Sequence, residues 1–408
     1  MSPRPDAPGP LNRRGPRPLL LHLLLAMTAP SSPGCAPAWP TWNPASPSWN
    51  SADPPHDPAD QAAAPADPPS GLDAELLAGI AAYRRHPYRR ALADPPAIWS
   101  EGSTRLLDFG AGLPCEASTL LVVPSLINRA YVLDLAPGRS GMRYLAGLGI
   151  RPLLLDWGWP DADERRFTLT DLIAGRLERA LVAATAAAGG RVALAGYCMG
   201  GLLAAAAAER RSDLVAALAL LAVPWDFHAG LPAAQRALLP QLRAMVATAC
   251  SLTGALPVDL LQYLFAMQDP GAIAAKFRGF GRMPQGSARA RQFVALEDWL
   301  NDGVPLAAPI AEEVFSGWYE ANSPASGTWR IAGLPVNPAR LAMPCLVAVP
   351  AADRIVPPDS ALALAAVIPG ARLLRPGAGH IGMATGARAG SHLWRPLAEW
   401  LRTALPAG

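Results

Sequence analysis

The ten residues Val192-Ala193-Leu194-Ala195-Gly196-Tyr197-Cys198-Met199-Gly200-Gly201 decide how this chain is read. A short apolar run, the length of one buried strand, gives way at Cys198 to small residues that continue as an Ala-rich helical pattern to residue 210. Glycine two positions before and two positions after a cysteine is the pattern of a nucleophile elbow. There the nucleophile takes a strained backbone conformation at a strand-to-helix turn that only small neighbours tolerate. A helix starting near Met199 aims its first amides and positive dipole end at Cys198, which favours thiolate over thiol. The same placement lets the Met199 amide bind an oxyanion.

Outward from this elbow, apolar runs alternate with helical patterns. Strands are expected at 119–123, 151–156, 191–196, 217–223, 345–349 and 371–374, and helices at 140–148, 170–187, 201–210 and 360–367. Continuous apolar runs separated by helices signal a parallel sheet covered on both faces. The rhythm breaks once. About 120 residues separate the strand ending at Val223 from the one beginning at Cys345, too many for a structureless loop. Helical periodicity around 238–249 and 307–318 makes residues 225–340 an expected helical cap over the strand ends, inserted in a catalytic domain spanning 71–408.

An elbow nucleophile needs a base and an acid that orients it, in the chain order nucleophile, Asp, His. Asp353 follows the strand at 345–349, and His380 follows the strand at 371–374. Both fall at strand carboxyl ends, on the side of the sheet where Cys198 emerges. Cys115, Cys250 and Cys345 have no such context, and His22, His56, His86, His228 and His392 lie outside the catalytic loops. A cysteine in the place of a serine suits acyl transfer: a thioester passed to a thiolate stays activated, whereas a serine ester would lie lower in energy.

Composition bounds the partners. The chain has 408 residues, 51% of them hydrophobic, and a formal net charge of +3 with arginines scattered among acids, which excludes a basic nucleic-acid stripe. Five cysteines without short paired spacing suggest neither a disulfide framework nor a metal site, and fit a reducing compartment. Residues 1–70 hold 18 of the 45 prolines and are expected to form a tail without fixed structure. Within it, the run Leu19-Leu20-Leu21-His22-Leu23-Leu24-Leu25-Ala26-Met27 after Arg13, Arg14 and Arg17 resembles the start of an export signal. It is too short for a membrane span. Translation from Met27 is the competing reading, and a cytoplasmic protein is the preferred one.

Six stretches carry a family resemblance. The segment Leu126-Ile127-Asn128-Arg129-Ala130-Tyr131-Val132-Leu133-Asp134-Leu135, the pair Asp156-Trp157-Gly158-Trp159-Pro160 and Phe167-Thr168-Leu169-Thr170-Asp171, the elbow itself, Asp353-Arg354-Ile355-Val356-Pro357 and Gly379-His380-Ile381-Gly382-Met383 resemble, in order, motifs of the polyhydroxyalkanoate synthases, above all the shorter two-subunit class III type. Residues 299–305 fall where that family has a Trp and Asp motif. The resemblance implies an α/β-hydrolase fold, with Cys198 holding a hydroxyacyl chain, His380 as base and Asp353 assisting it. It further implies a second oxyanion amide from Ser125 or Leu126, a 3-hydroxyacyl-coenzyme A thioester as substrate with no other cofactor, and work at the surface of intracellular polymer granules with a second synthase subunit or a second copy. Arg354 stands where the family commonly has histidine, Ser125 and Ala130 depart from the oxyanion-side segment, and the proline-rich tail lies outside the pattern. The competing reading is a thioesterase or ester hydrolase using the same three residues. Dienelactone hydrolases carry a similar elbow but are compact and lack a long cap.

Overall fold

Parallel strands buried on both faces form the centre of the larger of two units. This computed structural model describes residues 13, 15–27, 73–114, 116–267 and 269–405. Cys115 and most of the proline-rich segment lie outside them. By its contacts the chain divides into Leu92–Val258 with Gly303–Gly408, which carries the sheet, and Met1–Ala91 with Asp259–Asp302.

The sheet has eight strands: β1 (Ala97–Glu101), β2 (Thr104–Asp108), β3 (Thr119–Val123), β4 (Arg151–Asp156), β5 (Val192–Tyr197), β6 (Val215–Leu221), β7 (Cys345–Ala348) and β8 (Arg372–Leu374). Their spatial order is β1-β2-β4-β3-β5-β6-β7-β8. From β4 to β8 every pairing is parallel, and β2 runs antiparallel to both β1 and β4. The fold is the α/β-hydrolase fold that the resemblance implies, built on the parallel sheet expected from the alternation of strands and helices. Strands β3 and β5 are buried along their whole length, as a parallel sheet with both faces covered requires.

Sequence reading missed the β1–β2 hairpin. Its turn is Gly102-Ser103, with Gly102 at φ 55°, and its outer strand is half exposed, so no continuous apolar run marks it. The helix expected at 170–187 has two parts: a wide π-helical stretch, Asp171–Leu177, followed by Glu178–Ala188. The wide stretch turns Arg176 inward. Its guanidinium Nη1 lies 2.6 Å from Glu164 Oε1 and 2.8 Å from Thr104 Oγ1, and both charged residues are buried.

The interval 225–340, expected as one cap, is spread over both units. Leu239–Thr253 and Ala308–Glu312 belong with the sheet, whereas Pro270–Gly281 and Ala288–Asn301 belong to the other unit. An apolar cluster holds that second unit together: Leu76, Ile80 and Tyr83 pack with Phe277, Phe280 and Val294. Gly79 permits the close crossing, because a Cβ there would stand 1.9 Å from the Phe277 carbonyl oxygen. Within the stretch expected to lack fixed structure, Leu19–Met27 forms a helix in this unit, its Ala26 buried in the cluster and His22 edge-on to Phe277 at 5.6 Å. Leucine is a strong helix former and the run carries no breaker, so nine residues suffice once a partner face covers them. Arg13 is fixed there by Asp298 at 2.7 Å. Among the described residues no helix is long and apolar enough to cross a membrane.

Candidate active site

Cys198 follows β5 directly, at φ 55° and ψ −131°, a conformation that costs a non-glycine residue on the order of 1–3 kcal/mol. Three close approaches hold it there. A Cβ on Gly196 would meet Gly201 Cα at 2.3 Å, one on Gly200 would meet the carbonyl oxygens of Pro124 at 2.3 Å and Val123 at 2.4 Å, and one on Gly201 would meet Val223 at 2.0 Å. Any larger residue at these positions would push the chain out of the turn. The Cys198 amide donates to the Leu221 carbonyl at 2.9 Å, tying the elbow to β6. The helix Met199–Arg210 then runs back over β5 and β6, buried over most of its length because its Ala and Gly side chains allow close packing.

Asp353 sits in the loop after β7 and is buried. One of its carboxylate oxygens, Oδ1, accepts from the Ile355 and Val356 amides, each at 2.9 Å, which fixes the carboxylate plane. The other, Oδ2, lies 2.7 Å from His380 Nδ1. His380 opens the short helix His380–Thr385 after β8 and is buried. Its ring lies 5.2 Å from that of Tyr197, whose hydroxyl donates to the His380 carbonyl at 3.2 Å.

Burial works against the His380 cation, but the charge of Cys198, the charge of Asp353 and hydrogen bonds to both side chains outweigh it, and its pKa stands raised at about 10. The fold therefore brings Cys198, His380 and Asp353 together. Near neutral pH His380 therefore favours its imidazolium form.

The two oxyanion-side positions also lie at the strand ends. Met199 is the first residue of the elbow helix, and Ser125 and Leu126 follow β3, the strand paired in parallel with β5. All three are buried. Trp157 anchors their loop by donating from its indole nitrogen to the Pro124 carbonyl at 3.3 Å. Beyond Leu126 opens a small apolar cleft of about 50 Å³, with Trp157, Phe167, Val304 and Ile310 in its walls. Among the described residues no group of His, Cys, Asp and Glu is arranged to hold a metal ion.

Two contributors escaped sequence reading. Tyr197 was visible inside the elbow, but nothing in the pattern pointed to its bond to His380. Tyr319 comes from the wide helix Glu313–Glu320, where it stacks on Phe315. Burial and then the charge of Cys198 raise its phenol to about 12. No sequence signal links it to the elbow, because the link exists only in space. His228 binds the Tyr319 carbonyl at 2.9 Å, a structural role. Cys250 and Cys345 are buried free thiols.

Residues 185–387 match the family model of the alpha/beta hydrolase fold. The poly(3-hydroxyalkanoate) polymerase subunit of Haloferax mediterranei is 27% identical over 308 residues, covering 74% of this chain and 62% of that protein. The corresponding subunit of Allochromatium vinosum is 27% identical over 314 residues, covering 75% of this chain and 87% of its own length. The chain thus spans less than two thirds of the haloarchaeal relative and most of the shorter bacterial one. An alpha/beta hydrolase fold protein from Nakamurella multipartita, of solved structure, is 18% identical with a TM-score of 0.44, covering 76% of this chain and 99% of its own. The chain has an α/β-hydrolase fold, and its sequence is similar to those of poly(3-hydroxyalkanoate) polymerase subunits.

Proposed function

We propose that this chain is an acyltransferase that builds a polyester from 3-hydroxyacyl-coenzyme A, with Cys198 as acyl carrier, His380 as proton carrier and Asp353 as the group that orients and balances it. The observation that carries this reading is a cysteine, not a serine, on the strained elbow beside the His380–Asp353 pair at 2.7 Å. The similarity to polymerase subunits along three quarters of the chain supports it.

In this scheme the Cys198 thiolate attacks the thioester carbonyl and a C–S bond forms. The electron pair moves to the carbonyl oxygen, which the Met199 amide and the loop at Ser125 and Leu126 receive. Collapse expels coenzyme A thiolate, which takes the His380 proton. Neutral His380 then accepts the proton of an incoming hydroxyl as that oxygen attacks the Cys198 thioester, giving an ester and returning the thiolate. The acylated cysteine carries no charge, so burial weighs more heavily against the imidazolium and His380 is driven toward its basic form. The reaction needs no group beyond the coenzyme A thioester.

A cytoplasmic location at a polymer granule, with a second synthase subunit or a second copy as partner, belongs to the same proposal. Fractionation of granule-containing cells tests it, and protein spread evenly through the soluble fraction would count against it.

The reaction test is incubation with 3-hydroxybutyryl-coenzyme A, alone and with any synthase subunit encoded nearby. Free thiol should appear with the wild-type protein and fall to background with Cys198→Ala, a loss of several orders of magnitude. Oligomeric ester product supports the transferase. Free 3-hydroxybutyrate as the sole product would make the chain a thioesterase with the same three residues.

A further inference from the structure

Ser125 is buried, 9% exposed, and among the described residues its side-chain oxygen has no hydrogen-bond partner. A buried hydroxyl left unpaired costs on the order of 1–3 kcal/mol, so its placement calls for a partner that arrives with a ligand. Its position says which ligand. In the parallel pairing of β3 with β5, Val123 stands opposite Gly196. Two residues further along each chain, Ser125 and Cys198 emerge together at the carboxyl end of the sheet. The two stretches touch: Gly200, in the first turn after Cys198, is pressed against the Val123 and Pro124 carbonyls so closely that a Cβ there would lie within 2.4 Å of both. The Pro124 carbonyl is also engaged by Trp157, so the backbone leading into Ser125 is held from two sides. Proline precedes Ser125 and limits the loop further.

On these grounds we propose that the Ser125 hydroxyl is a side-chain donor of the oxyanion hole. It donates its proton in a hydrogen bond to the carbonyl oxygen of a thioester under attack by Cys198, alongside the Met199 amide. The hydroxyl keeps its proton throughout: the C–S bond forms to Cys198, the electron pair rests on the oxygen held by Ser125, and the bond to the coenzyme A sulfur breaks as the pair returns. This rests on the function proposed above and adds to it a group that acts on the transition state and not on substrate affinity.

The test uses the full chain with any required subunit and compares wild type, Ser125→Ala and Ser125→Thr. Release of coenzyme A thiol from 3-hydroxybutyryl-coenzyme A and of p-nitrophenolate from p-nitrophenyl acetate are followed in parallel, with thermal melting measured for each protein. Ser125→Ala should lower kcat on the order of 100-fold on both esters with KM nearly unchanged and no fall in melting temperature, and Ser125→Thr, which keeps the hydroxyl, should recover most of the rate. An alanine variant within about twofold of wild type, or one that changes KM alone, overturns the proposal. So does a loss that accompanies a lower melting temperature in both variants, which would make the hydroxyl structural. If wild type cleaves the aryl ester but not the thioester, the proposed substrate is wrong while the aryl ester still reads the Ser125 effect. If wild type cleaves neither, both readings fall together.

Discussion

His380 Nδ1 and Asp353 Oδ2 lie 2.7 Å apart, and the other Asp353 oxygen is held by two backbone amides. The histidine is therefore oriented by a carboxylate that cannot itself turn. Replacing that carboxylate by an amide of the same shape keeps the packing and removes the charge. Asp353→Asn should lower the rate of thiol release by about 10²- to 10⁴-fold, with a melting temperature close to that of wild type. Stopped-flow thiol detection together with calorimetry checks both halves.

The His380 imidazolium is held by the charge of Cys198 as well as by Asp353. With the folded value near 10, above the model-peptide value of 6.5, its contribution to stability is fully present below about pH 6.5 and is lost as pH rises through about 10. In wild type the His380 ring resonances should stay protonated through neutral pH. In Cys198→Ala, where that charge is gone, they should titrate at lower pH. Histidine-selective NMR titration of the two proteins measures this directly, and identical midpoints would contradict it.

At φ 55° the Cys198 backbone is strained whatever its side chain, unless that side chain is absent. Cys198→Gly should therefore be more stable than Cys198→Ala by about 1 kcal/mol, although both are inactive. Denaturant unfolding of the two variants gives the difference, and an alanine variant equal to or more stable than the glycine one would argue against strain.

Arg176 and Glu164 form a buried pair beneath the cleft at 2.6 Å. Cutting the pair on one side leaves a buried charge without its partner. Arg176→Met should destabilise the protein by about 3–5 kcal/mol, whereas the double change with Glu164→Gln should recover part of that loss. Urea unfolding of the single and double variants decides it.

Much of this was legible in the sequence because the chemistry is concentrated in loops that follow strongly apolar strands. Cys198 and Asp353 each stand just past a run whose burial on both faces leaves little choice of secondary structure, and His380 follows the short edge strand β8. What escaped lacks such a run. The β1–β2 hairpin is half exposed and turns on Gly102 and Ser103. Tyr319 reaches the field of Cys198 from a wide helix far along the chain. The helix Leu19–Met27 sits in proline-rich surroundings whose composition masks it, and its cluster partners, Phe277 and Phe280 among them, lie some 250 residues away in sequence.

The three glycines around Cys198 are usually taken as a property of the six letters in which they occur. Each, though, is small on behalf of something outside those letters or across the turn: Gly200 yields to Val123 and Pro124, and Gly201 to Val223. The elbow is thus a lock whose outer wards lie at and just past the ends of two other strands, β3 and β6. Enlarging Val223 would press on Gly201 as surely as enlarging Gly201 would press on Val223, so tolerance to change at residue 223 is governed by a motif to which, in sequence, it does not belong.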